Sequence, residues 1–201
     1  FLPAPRAAKT PEGYRWEEGG SRSIGRVKLF HGNIGVILRA YAYLKILGLE
    51  GLRRVSEGAI LNANYLKEKL KVSFKVAIDG PCMHEFVLSL KDCGGQGIHA
   101  GDVGKRLLDF GFHAPTVHFP IVVPEALMIE PTETETKETL DRFAEAMEQI
   151  AREIETDPEN VRQAPYTLPV RRPNDVLAAR KPILSYRDMV REKVLLAEPV
   201  P

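Results

Sequence analysis

Cysteine is almost missing from this chain: Cys82 and Cys93 are the only two in 201 residues. They stand too far from other cysteine or histidine pairs to spell a zinc motif, so both are expected as free thiols. A disulfide between them would need a close Cα approach that spacing alone does not establish. Long apolar runs are missing too. Nothing approaches the roughly 20 residues needed to cross a bilayer, and the first residues carry neither a signal core nor a small-residue cleavage pattern. The chain therefore reads as cytoplasmic, with no membrane partner. Net charge is also lacking, since 28 Lys and Arg face 27 Asp and Glu, so no strong field draws it to nucleic acid. The pairs Arg53-Arg54 and Arg171-Arg172 are expected to be solvated. His31, His84, His99, His113 and His118 offer neither a helical i, i+4 pair nor a compact carboxylate cluster, even with Glu85 and Glu130 available, so no metal is expected. Neither Ser89 nor Cys82 has a nucleophile-elbow setting.

What is present is enough for one substantial core with appendages. Residues 1–26 are rich in Pro, Gly and charge and read as a connector; the bare start Phe1-Leu2-Pro3 suggests the middle of a larger polypeptide. Residues 27–156 read as a small α/β domain. Within it, a glycine-punctuated loop over 23–35 feeds a helix in which Ile34, Ile37, Leu38, Tyr41 and Leu44 share a face, ending at Gly48. The free amides there, with Gly32 and Asn33, could approach a phosphate or carboxylate; the alternative is a plain loop with an asparagine cap. A second helix spans Glu50 to Lys71, with Leu52, Val55, Ala59, Ala63, Leu66 and Leu70 inward. Strands over Phe74–Ile78 and Glu85–Leu90 follow, joined through Asp79-Gly80-Pro81, then a glycine-rich turn and a short helix over Ala100–Phe110. Residues 157–201, broken by five prolines up to Pro182, read as a wrapping tail. Its Val161, Tyr166, Leu168, Val170, Ile183 and Leu184 suit a partner's surface, Val176 to Arg180 could form a helical turn or two, and the segment through Val190, Val194, Leu195 and Leu196 is expected to be partly helical.

The most informative stretch runs from Gly111 to Glu135. Gly111 can take the left-handed conformation that ends a helix. Val117–Val123 and Ala126–Ile129 are apolar, branched runs of strand length. Thr132 and Glu135 then stand at capping-box spacing, which also accounts for the acidic Glu133 and Glu135. The helix they open presents Leu140, Phe143, Ala144, Met147, Ile150, Ala151 and Ile154 on one face. This order of elements argues an α+β fold, with helices packed on a mostly antiparallel sheet.

The wording Gly104-Lys105-Arg106-Leu107-Leu108-Asp109-Phe110-Gly111-Phe112-His113-Ala114-Pro115-Thr116, followed by Leu127-Met128-Ile129-Glu130-Pro131-Thr132-Glu133-Thr134-Glu135, resembles the carboxy-terminal part of the glycine decarboxylase P-protein family, in its split bacterial form the second subunit. The resemblance implies the small carboxy-terminal domain of a fold type I pyridoxal-phosphate enzyme. It implies decarboxylation of glycine within the glycine cleavage system, with the aminomethyl group passed to the lipoyl arm of the H-protein. The implied partners are the first subunit, a second copy of the αβ unit and the lipoylated H-protein. The loop bearing Gly32 and Asn33 would lie near the cofactor, whose Schiff-base lysine belongs to an upstream domain: no lysine here has the histidine-lysine-threonine setting that the family uses.

Candidate substrate- or channel-lining residues are His84, which could equally be a hydrogen-bonded strand-edge histidine, and His113, Thr116 and His118. Where the family's strand continues into arginine this chain has Lys91, which lacks the bidentate fork for a carboxylate clamp. Leu127-Met128-Ile129 offers no cation either. For an enzyme that expels a carboxylate, a less polar site there would penalise the charge that the reaction removes, although Leu127 and Ile129 also read as plain core. The missing arginine disfavours an aminotransferase. The remaining alternative is a non-catalytic assembly or binding module with the same fold.

Overall fold

A computed structural model of the chain describes residues 2–27 and 32–191; His31 and Val194 to Leu196 lie outside them. By internal contacts the chain divides into two units, Phe1–Arg53 and Arg54–Pro201. Among the described residues no helix is long and apolar enough to cross a membrane.

The first unit opens with a hairpin where a connector was expected. β1 (Arg6–Thr10) pairs antiparallel with β2 (Gly13–Glu17). Gly13 has φ 131, a value open to glycine, and Arg6 reaches Glu17 across the ladder at 3.2 Å. Turn chemistry and backbone pairing form this element, for Tyr14 and Trp16 stay exposed. Helix α1 (Ile34–Leu70) leaves helical geometry at Gly48 (φ 61, ψ −171), where the helix stop was expected. The stripe Ile34, Ile37, Leu38, Tyr41 and Leu44 remains exposed among the described residues.

The second unit holds the core. β3 (Lys75–Val76), β4 (Phe86–Ser89), β5 (Thr116–Val117) and β6 (Ala126–Ile129) form one antiparallel sheet in the order β3-β4-β6-β5. Phe86 pairs with Ile129, and Leu88 with Leu127. Because side chains alternate, these four face the same side and pack under the later half of α1, α2 (Ala100–Asp109) and α3 (Lys137–Thr156). The α3 stripe sits where its periodicity puts it, with Met147 and Ile150 fully buried.

Two expectations for this unit fail. The run Val117–Val123 is not a strand beyond Val117: His118 takes φ 60, Val123 N–H closes a turn on Pro120 O (3.0 Å), and Ile121 and Val122 project outward. Pro120 and Pro124 each remove a donor, and the turn from Pro120 to Val123 carries the run away from the ladder after His118 N–H reaches Ala126 O (2.9 Å). The capping box is also displaced. The N-cap of α3 is Thr136, whose hydroxyl accepts from Thr139 N–H at 3.2 Å, whereas Thr132 and Glu135 belong to the loop before it.

Part of the tail is structural. α4 (Pro158–Gln163), with proline at its first turn, buries Val161 in this unit's own core rather than offering it to a partner. Beyond it, Asp109 accepts from Tyr166 N–H (2.6 Å), Thr167 N–H (2.9 Å) and the Thr167 hydroxyl (2.9 Å). Arg172, expected to be solvated, donates to Asp102 (2.8 Å) and to Ala164 O (2.6 Å). Residues 164–172 are thus strapped to both ends of α2. The short helices α5 (Asp175–Arg180) and α6 (Tyr186–Arg191) bury nothing.

Arg106 on α2 joins Asp109 (2.9 Å) to Glu153 of α3 (2.8 Å). Burial pushes both carboxyls up, but the Tyr166 and Thr167 donors at Asp109 and the guanidinium at both outweigh it, holding them below their ordinary 3.8 and 4.5. Carboxyls depressed in the folded state supply stability that is complete above the unfolded values and disappears as pH falls through the folded ones. Arg106→Met is therefore expected to cost about 3 kcal/mol at neutral pH and much less near pH 3, as read by denaturant titration at the two pH values. Leu127→Ala should cost roughly 2–5 kcal/mol at either pH.

Candidate functional site

Helix α2 ends because Gly111 adopts φ 79, which lets the N–H groups of Gly111 and Phe112 reach back to Leu108 O (3.0 Å) and Leu107 O (3.1 Å). The stop turns Phe112 inward, where its ring meets Phe143 of α3 edge-on, centroids 5.2 Å apart at 86°. Residues 113–116 then run as one wall of a groove of about 610 Å³. Met128 to Pro131, which continue from the strand paired with Thr116, and Glu135 line it further, and α3 contributes Thr139, Leu140, Arg142 and Phe143. The floor is apolar. Polar groups rim it: the His113 imidazole, the Thr116 and Thr139 hydroxyls, the carboxylates of Glu130 and Glu135, and the Arg142 guanidinium, which lies 6.0 Å from the Phe112 ring centre. Among the described residues Arg142 makes no ion pair. An apolar floor with convergent polar groups of both signs suits an amphipathic small molecule or flexible arm better than a highly charged ligand.

The structure brings His113 and Thr116 together here, both exposed, and leaves the other candidates elsewhere. His84 lies exposed on the loop between β3 and β4. His118 stands beyond β5, where its charge, after that of His99, helps lower the Glu125 carboxyl. Glu125 is chiefly held by Ala100 N–H at 2.8 Å, with His99 Nδ1 at 3.1 Å, so this carboxylate caps the start of α2. Gly32 and Asn33 belong to the first unit. Gly32 has φ 77, and Asn33 accepts from Val36 N–H (3.4 Å), the capping role that was the plainer of its two readings. Leu127 is fully buried in the core, so only Met128 and Ile129 of that trio reach the groove.

Among the described residues no lysine lines the groove. The one buried lysine among the described residues, Lys67, donates to Gly80 O, while Lys69 and Lys137 both hold Asp141 at 2.6 Å. A pyridoxal-phosphate Schiff base needs an amine free to approach the cofactor, so the groove residues do not fit the group's covalent anchor.

Sequence reasoning missed Arg142, whose only signal was its place beside Phe143 on the packed helix. It also missed Asn62 and Asn64 in Asn-Ala-Asn-Tyr, which stand two residues apart and so lie on different faces of α1. Asn64 clamps Cys82 through its N–H (3.0 Å) and C=O (2.7 Å), and Asn62 binds the loop before α3. Because Gly111 has open space but a left-handed backbone, Gly111→Ala should destabilise by roughly 1–2 kcal/mol through strain alone, as read by chemical denaturation.

Residues 55–168 match the family model described as glycine dehydrogenase, C-terminal domain. Over 187 residues the chain is 53% identical to a protein of Caldanaerobacter subterraneus subsp. tengcongensis named "Probable glycine dehydrogenase (decarboxylating) subunit 2", covering 92% of this chain and 38% of that protein. A Staphylococcus haemolyticus protein of the same name is 48% identical over 193 residues, covering 96% of this chain and 39% of the relative. The chain thus spans less than half the length of these curated relatives. A crystal structure of glycine decarboxylase (P-protein) of the glycine cleavage system, in inhibitor-bound form, superposes with a TM-score of 0.53 at 22% identity, covering 73% of this chain and 35% of that one; it shares the fold.

Proposed function

Because the chain belongs to the glycine dehydrogenase C-terminal domain family, we propose that it is the carboxy-terminal part of a pyridoxal-phosphate-dependent glycine decarboxylase. That enzyme releases CO2 from glycine and hands the aminomethyl group to the lipoyl arm of the H-protein. The observation that supports this reading is the groove, whose lining residues 111–116, 128–131 and 135 all fall within the two stretches, 104–116 and 127–135, through which the sequence resembles the family.

The part proposed for this chain is to shape the site. Phe112, Met128, Leu140 and Phe143 give the groove an apolar floor that lowers the polarity around what rests on it, while the Arg142 guanidinium at the rim would meet an incoming carboxylate. His113 and Thr116 would orient what enters, the imidazole and hydroxyl acting as hydrogen-bond partners at the rim. The cofactor's covalent anchor and the chemistry it supplies are assigned to residues outside this chain, and no step is assigned to an amine here. Gly32 and Asn33 remain proposed contributors near the cofactor phosphate. The partners proposed are the first subunit, a second copy of the αβ unit and the lipoylated H-protein, acting in the cytoplasm.

The test uses the full-length protein assembled with its partner subunit and lipoylated carrier, with release of labelled CO2 from carboxyl-labelled glycine as the readout. Release is expected, together with a pyridoxyl adduct fixed by borohydride outside residues 1–201. Absence of both would overturn the enzyme reading and leave a non-catalytic assembly module. His113→Ala and Thr116→Ala, being substitutions of exposed residues, should change stability by less than about 0.5 kcal/mol while lowering turnover. Proportional loss of both properties would remove these residues from the site.

A further inference from the structure

The loop from Pro131 to Glu135, whose two ends line the groove and serve as its wall there, has no regular secondary structure of its own. Its position comes from α1. Gly58, Asn62 and Leu66 lie four residues apart and so form one stripe along that helix. The loop passes beside Gly58, where a Cβ would stand in ordinary contact, 3.4 Å from the Cβ of Glu133. Leu66 ends the stripe in the groove floor. Between them, the Asn62 amide nitrogen donates to two carbonyls of the loop, Thr132 O at 2.9 Å and Glu135 O at 3.1 Å. Thr132 O also receives Glu135 N–H at 3.2 Å, so one side chain and one backbone bond close the loop. Pro131 and Glu135, at its two ends, both line the groove.

We infer that Asn62 is a positioning residue for the reaction, holding the Pro131–Glu135 wall at the spacing from His113 and Thr116 that the reactants require. The inference rests on the groove being the substrate site. Asn62 touches nothing that enters it; it acts through two carbonyls. Loss of its amide frees the wall to move, and displacement of about 1 Å at a reacting site is enough to cost much of the rate.

Asn64 supplies a matched control. It sits two residues along the same helix and also holds a loop by side-chain bonds to backbone, but that loop is Pro81–His84, outside the groove. In the full-length assembly, Asn62→Ala and Asn62→Asp are compared with Asn64→Ala for glycine turnover, thermal stability and amide hydrogen exchange. Both Asn62 variants are expected to speed exchange over residues 132–136 about tenfold and to lower kcat about tenfold with KM changed less than twofold. Asn64→Ala is expected to lose comparable stability without either effect. Unchanged exchange over 132–136 would overturn the inference, as would an equal fall in kcat for Asn64→Ala. If the unmodified assembly releases no CO2 from glycine, the proposed activity fails on its own account, and exchange alone decides whether Asn62 holds the wall.

Discussion

The later half of α1 is the constraint on which the second unit depends. A helix packed against a sheet fixes its own axis, but not the loops around it; here successive side chains do that as well. Asn62 binds the loop before α3, Ala63 is buried beneath the core, Asn64 clamps the backbone of Cys82, and the Tyr65 hydroxyl donates to Asp141. Lys67 then caps Gly80 O and Lys69 joins Tyr65 at Asp141. Hydrogen bonds from Lys137 and Lys69, with that from Tyr65, hold the Asp141 carboxyl well below the usual carboxylate range, so the pairing keeps its charge across ordinary pH. About two turns of helix therefore set where three other segments lie.

A second set of charges fixes α2. Asp102 at its start takes His99 N–H (2.9 Å) and Arg172, Asp109 at its end takes Arg106 and the strap at Tyr166 and Thr167, and Glu125 caps its first amide. Each carboxylate meets donors already aimed by backbone geometry, which costs less side-chain entropy than pairing two long mobile chains. The consequence reaches the groove, because α2 leads through Gly111 directly into the wall that carries His113 and Thr116. A site with exposed polar rim residues can thus be firm without being buried.

The groove itself looks ordinary residue by residue. Its apolar floor is the edge of the core, its polar rim is drawn from a helix stop, a strand end and a helix face, and only their convergence makes a cavity. That accounts for which candidates fell inside. His113 and Thr116 follow Gly111 closely, so the helix stop carries them to the wall. His118 itself takes the left-handed conformation at the end of β5 and lies by the Glu125 cluster instead, and His84 rides a loop tied to a different face of α1.

Short-range physics in the sequence determined much of the frame. Gly111 and Gly48 had to break helices because both take backbone angles that only glycine adopts cheaply, Ala126–Ile129 had to be a buried strand, and the α3 stripe had to face a core, since each follows from periodicity or conformational preference within a few residues. Tertiary structure decided what depends on distant partners. The run Val117–Val123 had strand composition but no available ladder, the start of α3 moved to Thr136 in a loop whose carbonyls are held from α1, and Val161 and Arg172 turned from a tail into parts of the domain. Asn62 and Thr132, 70 residues apart in the chain, meet only because the sheet brings α1 and the end of β6 together. A side chain's partner at that separation is set by the packing of the whole core, which no local pattern encodes.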